Sequence, residues 1–303
     1  MAYYNGMASD MSALRSVLVD ACTAEGWSWN SSTEMLSKGT MFLRLQIVSG
    51  YLTLLGRTSA SAGDMPNVVR IGALGGVAIS FPIAYEIFVF DAEVYLVANY
   101  NVNFYQWCAF GKSTVQGLPG TGMWVAASLG PTSAVNGIGM GATFGGAAST
   151  SQDWACPALF WMTNSLDTVR LASRNYYIHS NLDAGGWSLG AASNEGLRPG
   201  IAAMAPLISV LPNAWNSEAV LIPARAYKTR LESKVSMVAD LDHARYTRVD
   251  NYAPGQIVTL GDDRWKVYPF YQKNTISRDG SPASTTPVTH SGTFGWAIRY
   301  EGP

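Results

Sequence analysis

The sequence predicts a mainly β protein, α+β only at its N-terminus: an antiparallel sandwich-like or barrel-like body with one N-terminal amphipathic helix. Three observations carry this. Residues 81–113, FPIAYEIFVFDAEVYLVANYNVNFYQWCAFGKS, are dense in β-branched and aromatic residues and are interrupted by an acidic turn at Asp91-Ala92. These are the residue types that fill a pleated, well-covered sheet. Shorter runs of the same kind recur along the chain between Gly, Pro, Asn and Ser turn signals, and a single segment has the apolar spacing of a helix. No repeat period points to a solenoid or propeller.

In chain order, Ser9 and Asp10 are candidate N-caps for a helix over residues 10–25, with Leu14, Val17, Leu18 and Cys22 at spacings of three and four. Gly26 is placed to stop it as a C′ residue. Trp27 and Trp29 alternate with polar residues as a strand start does, and residues 41–48 continue in extended form. Ser49-Gly50 and Gly56-Arg57 bracket a strand over 51–55, and 58–64 is a Ser/Ala/Gly loop. Residues 81–113 are expected to form two long strands joined at Asp91-Ala92. Further strands are expected at 158–162, 176–179, 208–211 and 219–222, with Pro206, Pro212 and Pro223 punctuating the last two. Residues 234–249 can pair as strands, and 250–274 reads as a hairpin with a Pro-Gly turn before it and a Gly-Asp-Asp turn within it. Residues 277–290 are a Ser/Thr/Pro loop, and 295–300 form a terminal strand. The expected organisation is 1–30 as the helix and the strand after it, 31–230 as the β-rich body with uncharged Gly-rich loops, and 231–303 as a C-terminal β subdomain.

Charged residues are 14 % of the 303 positions, against roughly 25 % in ordinary soluble domains. Few charges are left to coat an isolated globule, and exposed apolar area of that sort marks interfaces. The expectation is therefore assembly with copies of itself, the alternative being a large core under a neutral surface. The stretch 113–152 has no charge and contains GLPGTGMWVAASLG and NGIGMGATFGG. It is expected to lie on a neighbouring surface, with Trp124, Ile138, Met140 and Phe144 as candidate interface residues.

A net charge of −1 argues against nucleic acid as a ligand, since phosphate binding needs a concentrated basic excess. The basic stretch 225–248 is diluted by Glu232, Asp240 and Asp242 and reads as a solvated face. Cys22, Cys108 and Cys156 are odd in number and lack CxxC spacing, so buried thiols are expected rather than a disulfide framework or zinc site. MAYYNGMASD has no basic segment leading into an apolar core, the expectation being synthesis in the cytoplasm without export. The apolar run 71–85 is short and broken by Gly72, Gly75, Gly76 and Pro82, so no membrane insertion is expected.

Catalytic signals are weak. Phe110-Gly111-Lys112-Ser113 resembles the end of a phosphate-binding loop but has Gln106 where the first glycine belongs. The G-x-G-x-x-A match at 137–142 has neither a clear strand before it nor an amphipathic helix after it. His179, His243 and His290 show no metal-ligand spacing, and no G-x-S-x-G elbow occurs. Asp91 with Glu93, and Asp262 with Asp263, are acidic pairs at expected turns, where Asp serves backbone hydrogen bonding. Among the aromatics, Trp107, Trp124, Trp187 and Trp215 fall in or near expected loops. Trp187 and Trp215 are the candidate glycan or receptor contacts, because exposed aromatic faces stack on sugar rings. No enzyme activity and no cofactor are expected.

The segments EVYLVANYNVNFYQWCAFGKS, the N-terminal helix followed by GWSWN, GDDRWKVYPFYQKN and the closing HSGTFGWAIRYEGP together resemble a class of tailed-bacteriophage virion proteins. The resemblance implies a structural tail component, in the baseplate or tail tip or associated with fibres, present as symmetric copies among other phage structural proteins. It brings no catalytic residues. The other roles it leaves open are a tail module that binds host saccharide or receptor, and a neck or capsid-decorating protein.

Overall fold

The computed structural model describes residues 1–73, 77–115, 117–118, 121–131, 158–160, 175–182, 186–189, 197–199, 218, 220–230, 232, 234–280 and 289–303. Among these residues the one α-helix, α1 (Met11–Ala24), is capped by Asp10, whose carboxylate accepts from the Ala13 amide at 2.8 Å. Leu14, Leu18 and Cys22 are fully buried along its inner face. Gly26, at φ +82°, ends it in the left-handed conformation that a side chain disfavours.

The strands pair antiparallel throughout. A central sheet has the order β1-β7-β8-β9-β10-β11-β12, built from β1 (Ala2–Ala8), β7 (Ile83–Val89), β8 (Glu93–Asn101), β9 (Phe104–Lys112), β10 (Met123–Ala127), β11 (Tyr176–His179) and β12 (Trp187–Leu189). A helix-side sheet runs β2-β3-β4-β5-β6, from β2 (Ser28–Asn30), β3 (Met35–Lys38), β4 (Met41–Val48), β5 (Tyr51–Arg57) and β6 (Val69–Ile71). An outer sheet runs β13-β14-β15-β18-β17-β16, from β13 (Leu197–Pro199), β14 (Ile222–Thr229), β15 (Val235–Arg248), β16 (Ile257–Leu260), β17 (Asp263–Pro269) and β18 (Phe294–Arg299).

These sheets stack in layers with the central sheet in the middle, so both of its faces are covered. Alternate residues of a strand point to opposite faces, and here each set enters a different core. Ile87, Val94, Leu96, Cys108, Phe110, Met123 and Val125 pack with α1 and the helix-side sheet. Phe88, Tyr95, Val97, Trp107, Ala109, Trp124 and Ala126 pack with the outer sheet. This is why 83–112 reads as unbroken apolar and aromatic sequence. It also gives the low charge content an internal cause, since a sheet buried on two faces absorbs apolar residues that a two-layer sandwich would leave outside.

The mainly β, sandwich-like fold with its N-terminal helix is as the sequence predicts, with three differences in detail. Residues 81–113 hold three strands, because Asn103 at φ +63° makes a second turn after Asn101, whose side chain accepts from the Val102 amide at 2.7 Å. Residues 2–8 form a strand paired along β7. Finally, ladders cross both expected divisions: β2 pairs β3 across 30/31, β1 joins the central sheet, and β14 pairs β15 across 230/231. Residues 158–160 are described as a bend and turn, and the expected strand at 208–211 lies outside the described residues.

Candidate functional site

The most concentrated polar chemistry lies where the β7–β8 turn of the central sheet meets β15. Opposite Pro223-Ala224 the register of β15 jumps from Arg245 to Leu241, so residues 242–244 bulge out of the ladder. A proline suits such a place, since it has no amide to pair, and a bulge re-aims the groups it carries. The freed amides of Asp242 and His243 point at Glu93, donating to its Oε1 at 3.0 Å and Oε2 at 3.1 Å. Tyr95 donates its hydroxyl to Oε2 at 2.9 Å, and His243 Nδ1 lies 2.8 Å from the same oxygen. An ionised carboxylate only accepts, so Nδ1 carries the proton. The imidazole is stacked on Phe90, centroids 3.8 Å apart. Glu93 is buried, and burial first and its carboxylate second hold the Tyr95 phenol far above its ordinary pKa, keeping it a donor.

Beside this cluster is a cleft of about 500 Å³, lined by Ala92, Glu93, Lys112, Ser113, Thr114, Val115, Gly117, Leu118, Thr121, Asp240 and Asp242. Asp240 is paired with Arg225 at 2.9 Å. Ser113 Oγ donates to the Val238 carbonyl at 3.1 Å and Thr121 Oγ1 to the Leu118 carbonyl at 3.3 Å.

A second, partly buried cluster joins the same two sheets elsewhere. Glu86 of β7 accepts from Tyr3 of β1 and from Lys266 of β17, and Lys266 Nζ also reaches the Tyr3 hydroxyl at 2.8 Å. The ammonium lies 4.7 Å from the Tyr3 ring centroid and 5.2 Å from that of Tyr300. Burial lowers the Lys266 pKa, but the bonds to Glu86 and Tyr3 raise it more, and the net direction is upward.

The candidates drawn from sequence fall variously. Trp124, expected at an interface, is fully buried between Tyr95 and Phe160, with centroids at 6.1 and 5.5 Å. It presents nothing to a neighbouring chain, and a charge placed there is a lesion of folding rather than of assembly. Ile138, Met140, Phe144, Trp215 and Cys156 lie outside the described residues, as does the glycine pattern at 137–142. Trp187, the candidate glycan contact, is half-buried on edge strand β12. Its indole N–H donates to the Gly63 carbonyl at 2.9 Å, and its ring lies where a Cβ on Gly56 would be, leaving little of it to stack on a ligand. Trp107 is fully buried against Trp296, centroids 5.2 Å apart.

The Gly111-Lys112-Ser113 segment is strand and strand end. A Cβ on Gly111 would sit 2.7 Å from the Trp124 ring and 2.8 Å from the Ala92 carbonyl, so glycine is needed there for packing. Asp91 keeps its turn role, almost fully exposed and paired with Lys38 at 3.1 Å. Asp263 pairs with Arg299 at 2.7 Å. Its neighbour Asp262 sits in the turn between β16 and β17. Glu93 departs from the turn reading, because its partners lie 149 and 150 residues away. The only local signal was a carboxylate at the head of an otherwise apolar strand. Among the described residues, no three His, Cys, Asp or Glu side chains converge as metal ligands, and no helix is long and apolar enough to cross a membrane.

Compared with known proteins, the chain matches no family model and no curated protein.

Proposed function

We propose that the chain is a non-enzymatic structural component of a tailed-phage virion, placed in the tail baseplate or tail tip or associated with fibres, and assembled as symmetric copies with other phage structural proteins. The observation that carries this reading is how the buried charge is used. Glu93, buried, accepts from Tyr95, His243 and two amides of β15, and the partly buried Glu86 holds Tyr3 and Lys266, so these two carboxylates fasten the central sheet to the outer one. Buried networks whose members are all satisfied rigidify a structure. The hydrogen bonds each carboxylate accepts come from neighbouring strands of the two sheets, which is the work of a fastener.

Its action would then be geometric: a stiff layered body that transmits force and holds neighbours in register. Exposed apolar side chains on the outer sheet, Val235, Met237, Ile257 and Leu260, give copies a surface to meet on. Closed symmetry is the common outcome for repeated chains, and three- or six-fold arrangements suit a tail axis. The resemblance of the sequence segments supplies the phage context.

Antibody labelling of purified particles, viewed by negative-stain electron microscopy, tests the proposal. Label at the distal tail is expected. Label on the head or at the neck would transfer the chain to the decorating or neck role, and unlabelled particles with the protein free in the lysate would overturn the virion reading.

A further inference from the structure

We infer that the cleft beside Glu93 is a binding site for a short, hydroxyl-rich saccharide. This goes beyond the structural role and does not rest on it, since the cleft belongs to the isolated chain.

The volume of about 500 Å³ lies within the roughly 300–1,000 Å³ of small-molecule sites. The polar groups around it are incompletely used. Lys112 and Asp242 line the cleft from the central and the outer sheet, both side chains are exposed, and neither has an ion-pair partner among the described residues. Thr114 also lines the cleft and carries a buried hydroxyl without a hydrogen-bond partner, a condition that in a native protein calls for an explanation. The hydroxyls of Ser113 and Thr121 spend their protons on backbone carbonyls and keep their oxygens as acceptors. Glu93 Oε1 accepts only the Asp242 amide.

The cleft is thus rich in acceptors, with Lys112 and Thr114 as its donors. An anionic ligand such as a phosphate would face the unpaired Asp242 carboxylate, and beyond it Glu93 and the Arg225-paired Asp240, with Lys112 as the one unpaired cation among the described residues lining the cleft. A purely apolar ligand would strand the hydroxyls. Sugar hydroxyls both donate and accept, as the Thr and Ser hydroxyls do, and can satisfy the carboxylate of Asp242, the ammonium of Lys112 and the Thr114 hydroxyl together. Val115 and Leu118 supply an apolar wall for the C–H face of a ring. Trp187, by contrast, already uses its indole N–H within the chain.

The test is a glycan array of bacterial surface saccharides probed with the full chain, followed by calorimetric titration of the best-bound saccharide into the wild-type chain and into Asp242→Asn, Lys112→Met and Thr114→Val. Putrescine serves as a donor-rich probe that is not a sugar. We expect saccharide binding that each substitution weakens at least tenfold, with unchanged thermal midpoints for the two exposed positions and no loss of stability for Thr114→Val, whose hydroxyl has no partner to lose. Three results would each overturn the assignment: no saccharide bound, saccharide bound equally by the three variants, or putrescine bound and saccharides not.

Discussion

Replacing Glu93 by alanine removes a carboxylate that accepts four hydrogen bonds and leaves the donors where they are. Two of them are the Tyr95 hydroxyl, fully buried among aromatic rings, and the His243 Nδ1–H, on a partly buried imidazole stacked on Phe90. The other two are the amides of Asp242, which lines the cleft, and of the partly exposed His243, and both can be rehydrated in part. A buried donor left without a partner costs about 1–3 kcal/mol, and stripping one partner from a buried ionic cluster costs about 3–5 kcal/mol. Counting two stranded donors and two partly rescued amides, Glu93→Ala should lose about 3–5 kcal/mol, a large share of the roughly 5–15 kcal/mol typical of a folded domain. Glu93→Gln keeps one accepting oxygen but turns an NH₂ group toward an N–H donor, and should lose less, about 1–2 kcal/mol. Urea unfolding followed by tryptophan fluorescence measures both, the comparison being valid where the m value is unchanged. A loss below about 1 kcal/mol for Glu93→Ala, the range of an exposed ion pair, would refute the claim that this carboxylate fastens the sheets.

Gly111→Ala drives a methyl group into the Trp124 ring and the Ala92 carbonyl and should cost about 1–3 kcal/mol as overpacking, read as a lower thermal midpoint. Stability should decline with rising alkalinity in a way that Lys266 explains. Its pKa is raised in the folded state, so its contribution is complete below the unfolded value of about 10.4 and disappears as pH climbs through the folded value. Tyr3, raised by burial and by Glu86, acts in the same direction. Lys266→Met should flatten that alkaline decline in urea titrations repeated across pH, and an unchanged slope would count against the cluster. Burial pushes the Cys108 thiol up to about 12, and burial followed by the neighbouring Cys108 pushes Cys22 upward too. Neither should react with Ellman's reagent in the native protein, while both should do so in denaturant.

The architecture was legible in sequence where the information is local. Asp10 and Gly26 mark α1 because caps answer to their own neighbours, and Met41–Val48 announces β4 by its composition. The dense 83–112 stretch likewise announces strands, but composition alone does not say that both faces are covered, and so the scarcity of charge reads as a sign of exposed interfaces. Trp124 illustrates the consequence: in an uncharged, Gly-rich neighbourhood it reads as a contact for another chain, whereas the stacking of the outer sheet on the central one closes over it. The turn at Val102-Asn103 was hidden because Asn101 to Asn103 continues a strand-like pattern, the left-handed Asn being the only break. The Glu93 cluster was not legible at all, since it needs the bulge of β15 to arrive beside β8 from 150 residues away. Lys112 and Asp242 show the same limit, as the cleft they share exists only after the two sheets have packed.

The proposed virion role is tested most directly by quantitative mass spectrometry of purified phage particles from the source of this chain, reporting its copy number relative to the major capsid protein. A structural part of the tail should be present at a few to a few dozen copies per particle, in a multiple that fits its symmetry. Hundreds of copies would contradict the tail assignment in favour of capsid or tube, and absence from the particle would contradict the virion role itself.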